Sequence, residues 1–286
     1  MPLPLVEIQG LNSLAFAMLL FLLAAGFSLI FGVGRILNLA HGTFYMLGAY
    51  VGFTVAQKTG NFWLALAIAP LAGGALGWIV ERTLLRRLHG RELEQVLVTV
   101  GLAFIMADLI RNIWGADIRS SPPPAALSGL VPIFGLQYPA YQLFVICVGA
   151  GVFVAMQLAL RTSWGARVRA VASDPQIAAS LGVPTGAVTS ATFSIAVALA
   201  AFGGAIGGPI IALAPGLDIT MMLLALIVVV VGGLGSVAGA LLGAVIVAFV
   251  DGFGRLEFPE LATFLMFALL VVVLSLRPQG LLGKRG

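Results

Sequence analysis

The chain has 286 residues, 60% of them hydrophobic and only 9% charged, with a mean hydropathy of +1.11, whereas a soluble domain carries about 25% charged residues. This composition excludes an ordinary soluble domain and reads as an integral membrane protein. The net charge of +4 does not point to nucleic acid, because the basic residues flank apolar runs, where Lys and Arg set membrane orientation.

A bilayer core of roughly 30 Å takes about 20 residues of helix. On that measure the sequence predicts an all-α fold, a polytopic membrane helical bundle forming one domain over residues 1–286. About nine crossings are expected, between about eight and ten, with broken, glycine-rich segments among them. They fall at Leu11–Val33, Ile36–Thr54, Phe62–Glu81, Val96–Trp114, Ala140–Leu160, Val188–Leu213, Met221–Gly232, Val237–Val250 and Leu261–Leu276. The first is expected to be a retained helix, since no basic n-region precedes it and no small-residue cleavage site follows.

Directly after that first run comes GVGRILNLAHGTFYMLGAYVG, from Gly32 to Gly52, which sets Arg35, Asn38 and His41 at membrane depth. Unsatisfied backbone groups cost several kcal/mol in hydrocarbon, so a break here requires cover from protein or from a watery cavity. Asn38 and His41 are three apart and are expected on one helix face, with Gly42 leaving room for a close neighbour. Two readings stay open: a wall of a translocation path, or a polar clamp between two helices. A metal site is not expected, because the other histidine, His89, falls in a loop.

Basic residues concentrate in ERTLLRRLHGRELEQ (81–95), in RTSWGARVRAVASDPQ (161–176) and in the tail RPQGLLGKRG. Even numbers of spans separate these three segments, so all can lie on the cytoplasmic side, with the C-terminus inside and the N-terminus outside. The Ser- and Pro-rich loop 114–139 then faces outward, where it is a candidate surface for an external partner. Glu81 with Arg82 and Asp108 with Arg111 are expected to pair locally, and Asp218 and Asp251 to lie at outer helix ends in structural roles. No chain of buried acids crosses the bilayer, which argues against proton coupling. Cys147, the single cysteine, lies within a span and leaves no internal disulfide.

The stretch ASDPQIAASLGVPTG, inside a basic loop expected over about 161–186, carries a complete helix signature. Asp174 suits an N-cap, Pro175 the first helical position and Gly182 the residue beyond the end, giving a helix from Pro175 to Leu181 that is too short to span. Its apolar side is Ile177, Ala178 and Leu181, and Ala178 with Ala179 keeps a low profile. Such a helix is shaped to seat in a groove of another protein; the alternative is an interfacial helix that merely connects two spans.

Glycines recur four apart at Gly73 and Gly77, Gly203 and Gly207, Gly204 and Gly208, and Gly235, Gly239 and Gly243, the spacing of close helix packing. The segments IFGVGRILNLAHGTFYMLGAYVG and VVGGLGSVAGALLGAVIVAFV echo one another, as paired interrupted segments do in duplicated transporters. GxxxxGK[ST], HExxH and GxSxG are all absent, so the sequence offers no catalytic residue and no ATP site.

Four motifs, GVGRILNLAHGTFYMLGAY, RAVASDPQIAASLGV, VVVVGGLGSVAGALLGAV and RPQGLLG, together resemble the permease subunits of branched-chain amino-acid ABC importers, of the LivH and LivM type and closer to LivH. The resemblance runs over nearly the whole chain. It implies that Asp174, Pro175, Ile177, Ala178, Ala179, Leu181 and Gly182 form a coupling helix that docks on a cytoplasmic ATPase. It also implies that Asn38, His41 and Gly42, with Gly232, Gly233, Gly235 and Ser236, stand near the path. Implied partners are a second, LivM-like permease, two ATPase subunits that hold ATP and Mg, and a periplasmic solute-binding protein, all at a bacterial-type inner membrane; no cofactor would sit on this chain. One departure is that DITMMLLALIVVVVGGLGS is apolar throughout where many relatives carry a polar residue. The solute is therefore expected to be a hydrophobic amino acid, with urea, short amides or small carboxylates as alternatives. An ATP-independent channel or secondary transporter would explain the glycine breaks but not the low-profile helix, and a purely structural scaffold would move no solute.

Overall fold

The structure, a computed structural model, describes residues 3–34, 36–133 and 135–283. Arg35 and the last three residues of the basic tail lie outside the described residues. The helices are α1 (Leu3–Gly34), α2 (His41–Thr59), α3 (Phe62–Thr83), α4 (Glu92–Trp114), α5 (Ala140–Arg161), α6 (Ser163–Ser173), α7 (Pro175–Ser180), α8 (Thr185–Gly207), α9 (Leu217–Gly232), α10 (Val237–Glu257) and α11 (Ala262–Leu276). Seven are long and apolar enough to cross a membrane, namely α1, α3, α4, α5, α8, α10 and the last, counted from Pro259. The chain is therefore a multi-pass helical membrane protein. Nine rods result when α2 and the 16-residue α9 are added.

Those last two differ from the rest because other helices cover them. The face from His41 to Gly52 is almost entirely buried, so α2 needs little apolar surface towards lipid. Glycine makes the close approach possible. Gly48 packs on Ala201 and Gly52 on Ala205, setting α2 parallel to α8, while Gly73 meets Ala201 and Gly77 meets Val197, setting α3 antiparallel to it. With Gly203 against Leu22, α8 is wrapped by α1, α2 and α3.

The bundle has two distinct ends. At one, Tyr141 donates its hydroxyl to the Ile206 carbonyl at 2.7 Å and stacks edge-on with Phe62. Here the loop 114–139 is ordered by a hairpin of β1 (Leu130–Ile133) and β2 (Leu136–Pro139), antiparallel with Leu130 opposite Pro139. A single helical turn, Ala125–Leu127, follows the proline run. At the opposite end all three basic segments gather. Arg86 lies against Gly186, and the backbone N–H groups of Leu281 and Leu282 donate to the carbonyls of Val231 and Gly232 at 2.9 Å. The even-span reading of the sequence thus matches the fold.

Several bounds differ from the expectation, each for a physical reason. α2 begins at His41, not Ile36, because residues 36–40 are non-helical; Asn38 therefore does not share a helix face with His41. The helix expected to run to Leu213 stops at Gly207, ahead of the Gly-Pro pair 208–209, where proline removes a backbone donor. The basic segment 161–176 contains a helix of its own, α6, with buried Val168 and Val171. Neither Glu81 with Arg82 nor Asp108 with Arg111 forms an ion pair; among the described residues the one pair within 4.0 Å is Arg255 with Asp251, at 2.9 Å. Cys147 is exposed on the bundle surface.

The packing yields two checks on stability. Replacing Gly48 by Leu drives a side chain into the backbone at Ala201 and should cost at or above the upper end of the roughly 1–3 kcal/mol of overpacking, whereas Gly101→Leu, with open space around it, should be neutral; thermal unfolding in detergent separates the two. Asn61 caps α3 by accepting from Trp63 N and Leu64 N at 3.0 and 3.1 Å, so Asn61→Ala should cost about 1 kcal/mol in the same assay.

Candidate translocation and coupling sites

Two helices begin inside the bundle. His41 Nε2 donates to the carbonyl of Leu23 at 3.1 Å, midway along the apolar run 11–33, so the chain leaves the end of α1 at Gly34 and climbs back to mid-depth before α2 starts. The mirror case comes from the other end. After α8, Leu213 exchanges backbone hydrogen bonds with Arg119 at 2.8 and 2.9 Å, and the chain then turns inward so that α9 opens at Leu217 beside the start of α2. Gly42 lies directly on the carbonyl of Asp218 and under Met222. The pattern of long helix, non-helical return and inner helix is thus repeated in the opposite direction by α8 and α9. The spatial counterpart of α1 and α2 is therefore α8 and α9, not the segment VVGGLGSVAG that echoes them in sequence.

A non-helical return at this depth must satisfy its own backbone. Asn38 Oδ1 accepts from Ala40 N at 3.1 Å, and the Asn38 carbonyl accepts from His41 N at 3.1 Å. Thr99 on α4 accepts from Leu39 N at 3.2 Å, and its single hydroxyl proton is shared between the carbonyls of Val96 at 3.0 Å and Leu37 at 3.3 Å. The His41 ring also meets Phe27 edge-on with centroids 5.7 Å apart. Asn38 and His41 have no exposed surface, and Asn38 Nδ2 and His41 Nδ1 have no hydrogen-bond partner among the described residues. That contact with Leu23 also fixes the ring proton on Nε2.

The second glycine-rich stretch closes α9. Gly232 ends the helix, and a Cβ there would collide with the carbonyl of Gly239. Gly233 has φ of 106° and Gly235 of 77°, a left-handed backbone open mainly to glycine. Ser236 then caps α10, its Oγ accepting from Gly239 N at 3.0 Å. A Cβ on Gly32 would stand 3.2 Å from Gly235 Cα. The two signature stretches, about two hundred residues apart, therefore touch at the basic end. There Gly32, Gly235, Ser236, Val168, Arg169 and Leu282 border a cavity of about 470 Å³.

The segment 174–182 lies at the same end. Asp174 Oδ1 accepts from Gln176 N and Ile177 N at 2.8 and 3.0 Å, as an N-cap does. Pro175 takes the first position and Leu181 caps the end, so α7 finishes at Ser180, one residue earlier than expected. Gly182, with φ of 83°, completes the C-terminal turn by donating to the Ala179 carbonyl at 3.0 Å. The apolar side divides in two. Ala178 is buried, 2% exposed, among Leu29, Val33, Val168, Val171 and Val188, so it anchors α7 to α1, α6 and α8. Ile177 is 60% and Leu181 78% exposed, and Ala179 is exposed beside them.

Some polar groups that sequence reasoning treated as peripheral are central. Asp218, expected at an outer end, is 6% exposed and stands between the two inner helix starts, where Thr43 Oγ1 approaches it at 3.4 Å. The sequence signal was the Pro-Gly pair at 215–216 just before the acid, a turn dipeptide that separates two elements. Glu81 is fully buried and takes the hydroxyl of Ser190 from α8. Asp251 does sit at the hairpin end, held by Arg255. Among the described residues there is no group of three or more His, Cys, Asp or Glu able to hold a metal.

Comparison with known proteins agrees with this geometry. The family model for the permease component of the branched-chain amino acid transport system matches residues 10–274. The chain is 27% identical to the high-affinity branched-chain amino acid transport system permease protein BraD of Pseudomonas aeruginosa, over 96% of this chain and 95% of that protein. It is 28% identical to LivH of Escherichia coli (strain K12), over 92% of this chain and 91% of that protein. LivM of the same strain is also 28% identical, but the match covers only 68% of it. No solved structure matches. With the family model covering nearly all of a multi-pass bundle whose two signature stretches meet, the chain belongs to the branched-chain amino acid transport permease family, on the LivH side of it.

Proposed function

We propose that this chain is one permease subunit of an ATP-driven ABC importer at a bacterial-type inner membrane, where it forms half of the path for a branched-chain amino acid. The carrying observation is α7, a capped helix of six residues whose Ala178 is locked into the bundle while Ile177 and Leu181 stand bare. A short helix that exposes large apolar side chains beside a charged segment needs a cover, and a groove in a cytoplasmic ATPase is the cover this reading supplies. The clustering of basic segments at that end supports a cytoplasmic location for it and for the C-terminus. The hairpin end then receives solute from an external binding protein. ATP and Mg belong to the two partner ATPases, and a second, LivM-like permease completes the pore.

The route from docking to gating is short. Displacing α7 moves the cluster of Leu29, Val33, Val168, Val171 and Val188 around Ala178. Val33 lies next to the Gly32 contact with Gly235, and Gly235 belongs to the turn that ends α9. The far end of α9 rests on the start of α2. A rigid movement of α7 is thereby delivered to the mid-membrane meeting of the two inner helices, where Asn38 and His41 hold the break closed. The chain's chemistry is gating; hydrolysis belongs to its partners.

Substituting both exposed positions, Ile177→Asp with Leu181→Asp, should leave the bundle folded but reduce ATP-dependent leucine uptake by at least tenfold and abolish co-purification of the ATPase. Wild-type uptake and ATPase recovery in the double variant would contradict the docking reading. Gly235→Val should keep the ATPase attached yet lose uptake, because a side chain meets Gly32 at a left-handed φ; undiminished uptake there would remove the Gly32 contact from the gating route.

A further inference from the structure

A second cavity, of about 320 Å³, lies between α2, α4 and α9, at the small end of the roughly 300–1,000 Å³ of ligand pockets. It runs along α4 from Gly115 at the hairpin end down to Val100 and Leu39 at the inner break. Its wall is mostly apolar, with Met46, Phe104 and Ile219 among the lining residues, yet it contains Asp108, Arg111 and Asp218. Asp108 and Arg111 have no hydrogen-bond or ion-pair partner among the described residues, although they stand one turn apart. Asp218 is more than nine-tenths buried, and its carboxylate has one hydrogen-bond partner among the described residues, the hydroxyl of Thr43 at 3.4 Å. Ionised groups at membrane depth are costly and persist where they meet water, one another or a solute.

Building on the importer reading, we infer that this cavity is a solute site on the outward half of the path and that it reads both charges of an amino-acid zwitterion. Arg111, one turn from the end of α4, takes the α-carboxylate, for which a guanidinium offers paired donors. Asp218, deeper and between the two helix starts, takes the α-ammonium. The aliphatic side chain lies on Met46, Phe104 and Ile219. Asp108 lines the mouth on the same helix as Arg111, so the wall carries one guanidinium and two carboxylates. Asp218 is buried and Arg111 is exposed on the wall, so a ligand lacking the ammonium leaves a buried carboxylate uncompensated, and one lacking the carboxylate forfeits the charge-assisted pair with the guanidinium.

The test is equilibrium binding to the purified full-length chain of L-leucine, of 3-methylbutylamine, which lacks the carboxylate, and of 4-methylpentanoate, which lacks the amine. The wild type should prefer leucine to both analogues by at least tenfold. Arg111→Gln should erase the preference over the amine and keep that over the acid, and Asp218→Asn should do the reverse. Loss of both preferences in either variant, no change in both variants, or a wild type that binds none of the three would overturn the assignment. Leucine uptake by the reconstituted importer separates this from the reading it rests on. Robust uptake that is unchanged in both variants removes the site and leaves the importer; absence of leucine uptake by the wild-type importer removes both.

Discussion

The structure depends on a single constraint: inside a bilayer no backbone N–H or C=O can be left without a partner. This chain breaks its helices twice at membrane depth, at 36–40 and at 208–216, so each break has to be enclosed. The first is closed by the Asn38 side chain, by Thr99 and by the imidazole of His41. The second is pinned by the Arg119 exchange with Leu213. Once that is required, α2 and α9 must be interior helices, and the remaining long helices must surround them. Glycine at Gly42, Gly48 and Gly52 then follows from the need to pack one rod inside others.

The same enclosure makes the breaks useful. A helix that starts at mid-depth has one end at the centre of the membrane and the other near a surface, so a displacement at the surface is delivered to the centre. In this chain the surface end of α9 is the glycine turn that touches α1, and α1 is tied to α7 through Ala178 and its neighbours. The short helix α7, the turn and the inner helix starts thus form one continuous packed series. The two directions of entry, α1 to α2 from one end and α8 to α9 from the other, are the arrangement a gate needs if it is to open to either side in turn.

Much of this was legible in the sequence. The apolar runs gave the spans, the even spacing of basic loops placed them at one end, and Asp174, Pro175 and Gly182 marked α7 to within a residue. Less was legible where tertiary contacts decide. Asn38 looked helical because polar residues three apart suggest a face, but it lies in the non-helical return over 36–40 that carries the chain to the His41 contact with Leu23. Asp218 read as an outer-end residue because its helix was assumed to run the full depth; only the fold shows that α9 begins halfway. Ala178 and Ile177 are neighbours of similar character, and sequence had no means of telling which one the bundle buries.

Whether this chain works as part of an ATP-driven assembly is decided by affinity purification from its native membrane with identification of what comes with it, followed by ATP-dependent uptake in liposomes. An importer subunit should bring with it an ATPase and a second permease, with an external solute-binding protein associating when loaded, and should support uptake only when ATP is supplied. Recovery of the chain alone, still carrying solute without ATP, would contradict that role and make the protein a channel or a secondary carrier.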